Sequence, residues 1–356
     1  MENNESPNNE LTKHILYSQP SIERLRIILM FFMCINLLGF PTDFGEYVQK
    51  VCGFVPPAFF IVSGFLVLRE DKDRSNRILR AIKRCAIAFG ILLIVYFAIN
   101  FFYYKLQGFN IFSVFVSKRF WFNFVVLDMW QFDIGGTIWY VQALLYAYII
   151  IYFLDKWKLL RFDWLIAAVL IIFTVITGEL TGIIRWEILG YNYISGNFFT
   201  RALPYVMLGS FIQRKIDILA TVCWLWYFVG AILGVALTIG EILLLDYFGV
   251  SGYYGHLIGM CVTAFSICML AFQDNRPKPG FEAFLDMPRQ FINCIYYFCH
   301  PVSVGIAMLL TILGEDFFTK SINIMSIITF IVCFFIAWLI SRIFLLFLVI
   351  KEKRNE

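Results

Sequence analysis

The sequence predicts an all-α, polytopic membrane protein of about ten transmembrane helices, with both termini in the cytoplasm. Three observations predict it. The 356 residues are 60% hydrophobic and only 15% charged, whereas soluble chains run nearer half apolar and a quarter charged. The apolar residues gather in runs long enough to cross a bilayer, for which about 20 residues suffice. The cations gather at the ends of those runs, and alternate connections are poor in them. Hydrocarbon offers the backbone no water to bond, so each run is expected to be helical.

In chain order, residues 1–20 are polar and read as a flexible cytoplasmic tail. They hold no apolar stretch of the signal-peptide type, so the first span is expected to act as its own insertion signal. Spans are expected near 25–41, 51–68, 82–104, 137–154, 163–178, 198–213, 219–245, 254–273, 290–313 and 323–350. Arg24 and Arg26 precede the first. The second contains Pro56-Pro57 and Ser63-Gly64, then runs into seven cations: Arg69, Lys72, Arg74, Arg77, Arg80, Lys83 and Arg84. Lys156, Lys158 and Arg161 lie between the fourth and fifth spans, and Arg214 and Lys215 follow the sixth. Arg276, Lys278 and Arg289 separate the eighth and ninth, while Lys351, Lys353 and Arg354 fall in a basic tail, 351–356. Asp246 is the single charge between the seventh and eighth. This bias places both termini inside. The outer connection 105–136, with Phe120-Trp121-Phe122-Asn123-Phe124 and then Met129-Trp130, reads as an interfacial segment at the headgroups. Residues 21–350 form one membrane domain without internal repeats.

Composition and motifs exclude several functions. A formal charge of +4 with cations at span ends implies membrane lipid as a partner and no nucleic acid. The nine cysteines form no C-x-x-C pair and read as free thiols packed as small hydrophobes, with no metal site. H-E-x-x-H, Walker and G-x-S-x-G patterns are missing.

Two features bear on chemistry. Pro56-Pro57 removes backbone donors from the second span, and Ser63-Gly64 allows another helix to approach closely. The same residues also suit an ordinary kinked, packed helix. Arg77 and Arg80 are three apart on one helix face, an arrangement that fits a diphosphate through forked hydrogen bonds. A positive-inside anchor on anionic headgroups fits them equally.

Five stretches then carry a family resemblance. Val55-Pro56-Pro57-Ala58-Phe59-Phe60-Ile61-Val62-Ser63-Gly64-Phe65-Leu66 is similar to the FFxxSG-type signature of the transmembrane acyltransferase-3 family. Arg77-Ile78-Leu79-Arg80, Thr137 to Leu145 (with Trp139-Tyr140), Leu203 to Ser210 and Ile295 to Pro301 resemble further family motifs, in the family's order. The resemblance covers roughly 20–350. It implies an O-acyltransferase that passes an acyl group, usually acetyl, from cytoplasmic acyl-CoA to a hydroxyl of an extracytoplasmic glycan or lipid-linked sugar. No bound cofactor is implied, since acyl-CoA is the donor substrate. It also implies that Arg77 and Arg80 hold the donor phosphates, with Arg26 matching the family's early Arg. Ser63 would lie in the broken part of span two, and Trp139 and Tyr140 would line the central cavity.

One departure concerns catalysis. The family's span-one His falls here on Leu37, or on Asn36 with a shift of one residue. Neither titrates near neutral pH, although Asn36 can orient a carbonyl. His300, in the ninth span, is the candidate proton-handling residue, since ionisable groups within the membrane are costly and functional by default. A His bonded to a neighbouring helix is the alternative. His256, Asp43, Glu46, Glu179, Arg185 and Glu241 read as interfacial, solvated or paired. Two other functions stay open: a non-catalytic binding component, and a transporter or flippase of lipid-linked glycan.

Overall fold

The computed structural model describes residues 20–40, 42–128, 132, 137–178, 197–249, 257–273, 289–313 and 324–355. Among them every regular element is a helix: α1 (Pro20–Leu38), α2 (Asp43–Val51), α3 (Val55–Val67), α4 (Arg74–Leu106), α5 (Phe112–Phe115), α6 (Lys118–Val125), α7 (Ile138–Lys156), α8 (Asp163–Thr177), α9 (Phe198–Arg201), α10 (Leu203–Arg214), α11 (Ile216–Leu219), α12 (Trp224–Tyr247), α13 (Ile258–Gln273), α14 (Arg289–Leu313) and α15 (Met325–Asn355). The expected tail 1–19 lies outside the described residues. The expected basic tail falls at the end of α15, whose helix continues through Asn355.

Among the described residues seven stretches are long and apolar enough to cross a membrane: Phe44–Val67, Arg74–Leu106, Ile138–Lys156, Leu159–Thr177, Trp224–Tyr247, Ile292–Leu310 and Met325–Ile343. The protein is thus a multi-pass membrane protein. The other three expected spans are helices that fall short of this measure. α1 starts with Glu23, Arg24 and Arg26; α10 has 12 residues and α13 has 16.

The second span begins earlier than expected, at Phe44, and bends rather than breaks. A 3-10 turn, Cys52–Phe54, joins α2 to α3. Pro56 and Pro57 occupy the first turn of α3, where an N–H has no intrahelical acceptor to lose. α4 has 33 residues and is about 50 Å long at 1.5 Å per residue. It therefore carries Arg74, Arg77, Arg80, Lys83 and Arg84 beyond hydrocarbon about 30 Å thick.

α3 is the centre of the bundle. It is apolar on all sides, and Phe60 and Ile61 are 0% exposed, as expected of a helix enclosed by others. A Cβ at Gly64 would overlap the Val206 carbonyl of α10, and one at Gly209 would overlap the Ile61 carbonyl. These two glycines set the α3–α10 separation. α4 and α12 turn Ile87, Ile94, Ile232 and Leu233 outward, as lipid-facing helices do.

Polar contacts tie the helix ends. At one end Arg74 pairs with Asp155 at 2.6 Å, and Arg214 pairs with Asp163 while donating to the Arg161 carbonyl at 3.1 Å. The backbone N–H of Glu70 reaches Gln213 there. The cation-rich connections after α3, α7 and α10 thus meet at one end. At the opposite end Tyr47 donates to Asp246 at 3.1 Å, and Ser326 donates to the Gly39 carbonyl at 2.6 Å.

Candidate active site

The five motif stretches lie up to 246 residues apart, from Val55 to Pro301, and converge on α3. Gly64 places α10 against it. Ser63 Oγ lies 3.3 Å from the Tyr140 hydroxyl, and Tyr148 donates to the Ser63 carbonyl at 3.3 Å. Tyr140 stacks on Phe60 at 4.7 Å between centroids and meets Tyr296 edge-on at 5.4 Å. Trp139 packs edge-on to Phe60 at 6.2 Å. From α1, Arg26 Nη2 donates to Asn293 Oδ1 at 3.3 Å.

Between these helices lies a cavity lined by Met30, Phe59, Tyr140, Asn293, Tyr296 and Tyr297. Helical spacing explains the set. Arg26 and Met30 are i,i+4 on α1, Phe59 and Ser63 are i,i+4 on α3, and Asn293, Tyr296 and Tyr297 share a face of α14. The cavity measures about 10 Å³, room for roughly one water. The Tyr296 hydroxyl in its wall is buried without a hydrogen-bond partner, and so is Nε of Arg26, one turn of α1 before Met30, whose Nη1 lies 3.5 Å from Glu23. Such groups are costly to leave unpaired and stand ready for an acceptor atom such as a carbonyl oxygen. An acyl chain needs the helices to part slightly.

The remaining predicted residues are placed elsewhere. Every guanidinium nitrogen of Arg77 is engaged. Nη1 takes both Asp71 oxygens at 2.8 and 2.6 Å, Nε donates to the Val67 carbonyl at 3.2 Å, and Nη2 to the Arg69 carbonyl at 2.5 Å. Arg77 thereby satisfies carbonyls left open at the C-terminus of α3. Its hydrogen bond is the main cause that holds the Asp71 carboxyl below its ordinary pKa. Arg80 pairs with Asp73 and is 57% exposed. Asn36 donates to the Gln49 carbonyl at 3.1 Å and its own carbonyl accepts from Gln49 at 2.8 Å. It therefore joins α1 to α2 away from the cavity. His300 lies on α14, one turn beyond Tyr296 and Tyr297, and is not among the lining residues. Glu46 pairs with Lys50 at 2.9 Å, and Glu241 accepts from the Ile258 and Gly259 N–H groups at the start of α13. His256, Glu179 and Arg185, and the side chain of Asp43, lie outside the described residues.

Sequence reasoning missed three contributors. Asn293 and Tyr296 were legible only as members of an α14 face; Tyr296 already stood in the late motif. Asp128 gave no signal, being a lone carboxylate in an aromatic segment. It is 3% exposed, its Oδ1 accepts the Phe198 N–H at 2.9 Å, and its Oδ2 has no partner. Burial pushes its carboxyl up to about 8, against the pull of the Arg201 charge. The Arg201 guanidinium lies over the Trp139 ring, 5.4 Å from its centroid.

The acyltransferase-3 family profile, described as an acyltransferase domain, matches residues 19–346. No curated protein and no solved structure matches the chain. The match spans all five motif stretches and the helices that bring them together, and the chain belongs to the acyltransferase-3 family.

Proposed function

We propose that the protein moves an acyl group, acetyl in the first instance, from acyl-CoA on the cytoplasmic side to a hydroxyl of an extracytoplasmic glycan or lipid-linked sugar. Family membership makes it a membrane acyltransferase. One observation supports the finer reading: the unpartnered Tyr296 hydroxyl shares a small cavity with Tyr140, which pairs with Ser63, and the unpartnered Nε of Arg26 lies one turn of α1 from Met30 of the same lining. In acyl transfer the acceptor oxygen attacks the thioester carbonyl carbon and the C–S bond breaks, with negative charge building on the carbonyl oxygen. Pre-aimed donors in a low-dielectric site stabilise that charge. Tyr296, Tyr140 and Arg26 are assigned this role. Asn293 positions Arg26, and Trp139 and Phe60 hold the Tyr140 ring. Arg77 and Arg80 sit at the cation-rich end, where the CoA phosphates would displace Asp71 and Asp73.

The family's span-one His is replaced, and Asn36 is turned to Gln49. This favours a second reading, a binding component that holds donor or acceptor without turnover. General-base help is typically worth about 10² to 10⁴ in rate, so catalysis here relies on His300 or on a base carried by the acceptor. Membranes containing the protein, incubated with radiolabelled acetyl-CoA and a thiol reagent for released CoA, separate the readings. Labelled glycan with released CoA supports transfer. Binding without release supports the second reading in its donor-holding form, and neither binding nor release refutes acyl transfer from acetyl-CoA.

A further inference from the structure

We propose that Tyr96 and Thr137 are positioning residues: their hydroxyls lock α14 at Pro301 and so hold Asn293, Tyr296 and Tyr297 in the cavity wall. Pro301 lies inside α14 and has no N–H, so the carbonyl four residues earlier, that of Tyr297, loses its helical donor. Within a membrane a freed carbonyl is costly unless a neighbouring helix bonds it. Two hydroxyls stand at this one. Tyr96 of α4 donates to the Tyr297 carbonyl. Thr137 Oγ1 lies 2.6 Å from the Tyr96 hydroxyl and 3.5 Å from the same carbonyl. A carbonyl only accepts, and each hydroxyl carries one proton. With the Tyr96 proton on the carbonyl, the Thr137 proton falls on the Tyr96 oxygen. That chain satisfies all three groups, and each bond strengthens the next.

Packing alone does not call for these oxygens. Four residues of the largely lipid-facing α4 are buried: Ile78, Leu92, Tyr96 and Asn100. A Phe would fill the Tyr96 site nearly as well, but without reaching the carbonyl. The lock acts on the cavity through helix geometry. The Tyr297 carbonyl belongs to the turn of α14 whose side chains Asn293, Tyr296 and Tyr297 line the cavity. Thr137 directly precedes α7, one turn from Tyr140, whose ring meets Tyr296 edge-on at 5.4 Å. One chain of hydroxyls therefore ties together the two helices that supply Tyr140 and Tyr296. Neither Tyr96 nor Thr137 is among the lining residues, so both act through those that are. The lock stands on these contacts; its effect on rate rests on the proposed function.

The test uses the full chain purified in detergent, as Tyr96→Phe, Thr137→Val and the double variant. Either hydroxyl can partly replace the other at the carbonyl, so the double variant decides. Its kcat for transfer from acetyl-CoA, taken well below every melting temperature, should fall roughly 10- to 100-fold as the wall loses its register. KM for acetyl-CoA should stay within about threefold. A merely structural role lowers the melting temperature and leaves kcat per folded molecule unchanged. If the double variant does not fold, Tyr96→Phe carries the test, with an expected loss of about tenfold. Fluorine NMR of 3-fluorotyrosine in place of Tyr297 reads the wall without turnover, and its line should shift or split in the variants. An unshifted line in the folded double variant overturns the lock. A shifted line with unchanged kcat and KM overturns the positioning role. A shifted line in a protein that neither binds nor consumes acetyl-CoA keeps the lock and removes the acyl-transfer reading instead.

Discussion

Replacing Asp71 with Asn releases the guanidinium that the proposed donor site needs. In the structure Arg77 spends Nη1 on both oxygens of Asp71, at 2.8 and 2.6 Å. The two side chains are 23% and 39% exposed, so water screens the pair, and an exposed ion pair is worth at most about 1 kcal/mol. Any anion that binds Arg77 must first displace this carboxylate. Removing its charge should therefore tighten acetyl-CoA binding by about 2- to 5-fold, the affinity equivalent of 0.4 to 1 kcal/mol. Adding Asp73→Asn, which frees Arg80, should contribute a similar or smaller factor. Arg77→Ala should act oppositely. It removes charge-assisted bonds of about 1.5–3 kcal/mol and so weakens binding roughly 10- to 100-fold. Equilibrium dialysis of acetyl-CoA against the detergent-purified protein, at low and high salt, reads all of these. The gain in Asp71→Asn should shrink with salt as the phosphates are screened. If Asp71→Asn weakens binding as much as Arg77→Ala does, the pair is a fastening for the turn after α3. If both leave binding unchanged, the phosphates sit elsewhere. Either result refutes the assignment.

Three further outcomes are expected. Tyr296→Phe removes only a buried hydroxyl that has no protein partner; acyl transfer should slow about 10- to 1000-fold, with acetyl-CoA affinity within a factor of two or so, as single-turnover kinetics would show. Gly64→Ala drives a methyl into the Val206 carbonyl and should destabilise the bundle by roughly 1–3 kcal/mol, seen as a lower melting temperature, whereas Gly90→Ala, with open space around it, should not. Asp128 supplies a pH dependence. Its folded-state pKa, about 8, lies above the ordinary 3.8, so the folded protein holds this proton more tightly than the unfolded chain does. Stability should fall as pH rises from about 4 to 8 and level off above, by up to about 1.4 kcal/mol per pH unit. Asp128→Asn lacks that slope and should melt higher than the parent at pH 9, with the advantage fading toward pH 4; an equal deficit at both pH values would contradict the assignment.

Particular residues show what was legible in the sequence and what was not. Pro56 and Pro57 announced an irregularity in the second span, and Gly64 a close helix contact; both are local backbone effects that hold in any packing. The Arg77–Arg80 spacing announced a shared helix face but not that Asp71 and Asp73 would already occupy it, because that depends on how the turn after α3 folds back onto α4. Asn36 looked like a stand-in for a missing His, yet α2 packs back on the end of α1 and brings Gln49 within its reach. Asn293 was legible as part of an α14 face but not as a site residue, since one amide in an apolar run does not say which helix it meets.

By itself the sequence determined that this is an all-helical, multi-pass membrane protein of the acyltransferase-3 type. Hydropathy is a sum over neighbouring residues, and a backbone in hydrocarbon must bond to itself, so the fold class needs no knowledge of which helices touch, and the family is carried by short motifs read along the chain. Tertiary structure alone decided which polar groups meet. Arg26, Ser63, Tyr140, Asn293 and Tyr296 come together because α1 packs on both α3 and α14 and Tyr140 of α7 stacks on Phe60 of α3, while Gly64 and Gly209 let α10 close on α3 to backbone contact. It also decided that Asp128 keeps an unbonded oxygen. Helix rotation and tilt follow from packing across the whole bundle, and no window of sequence contains them.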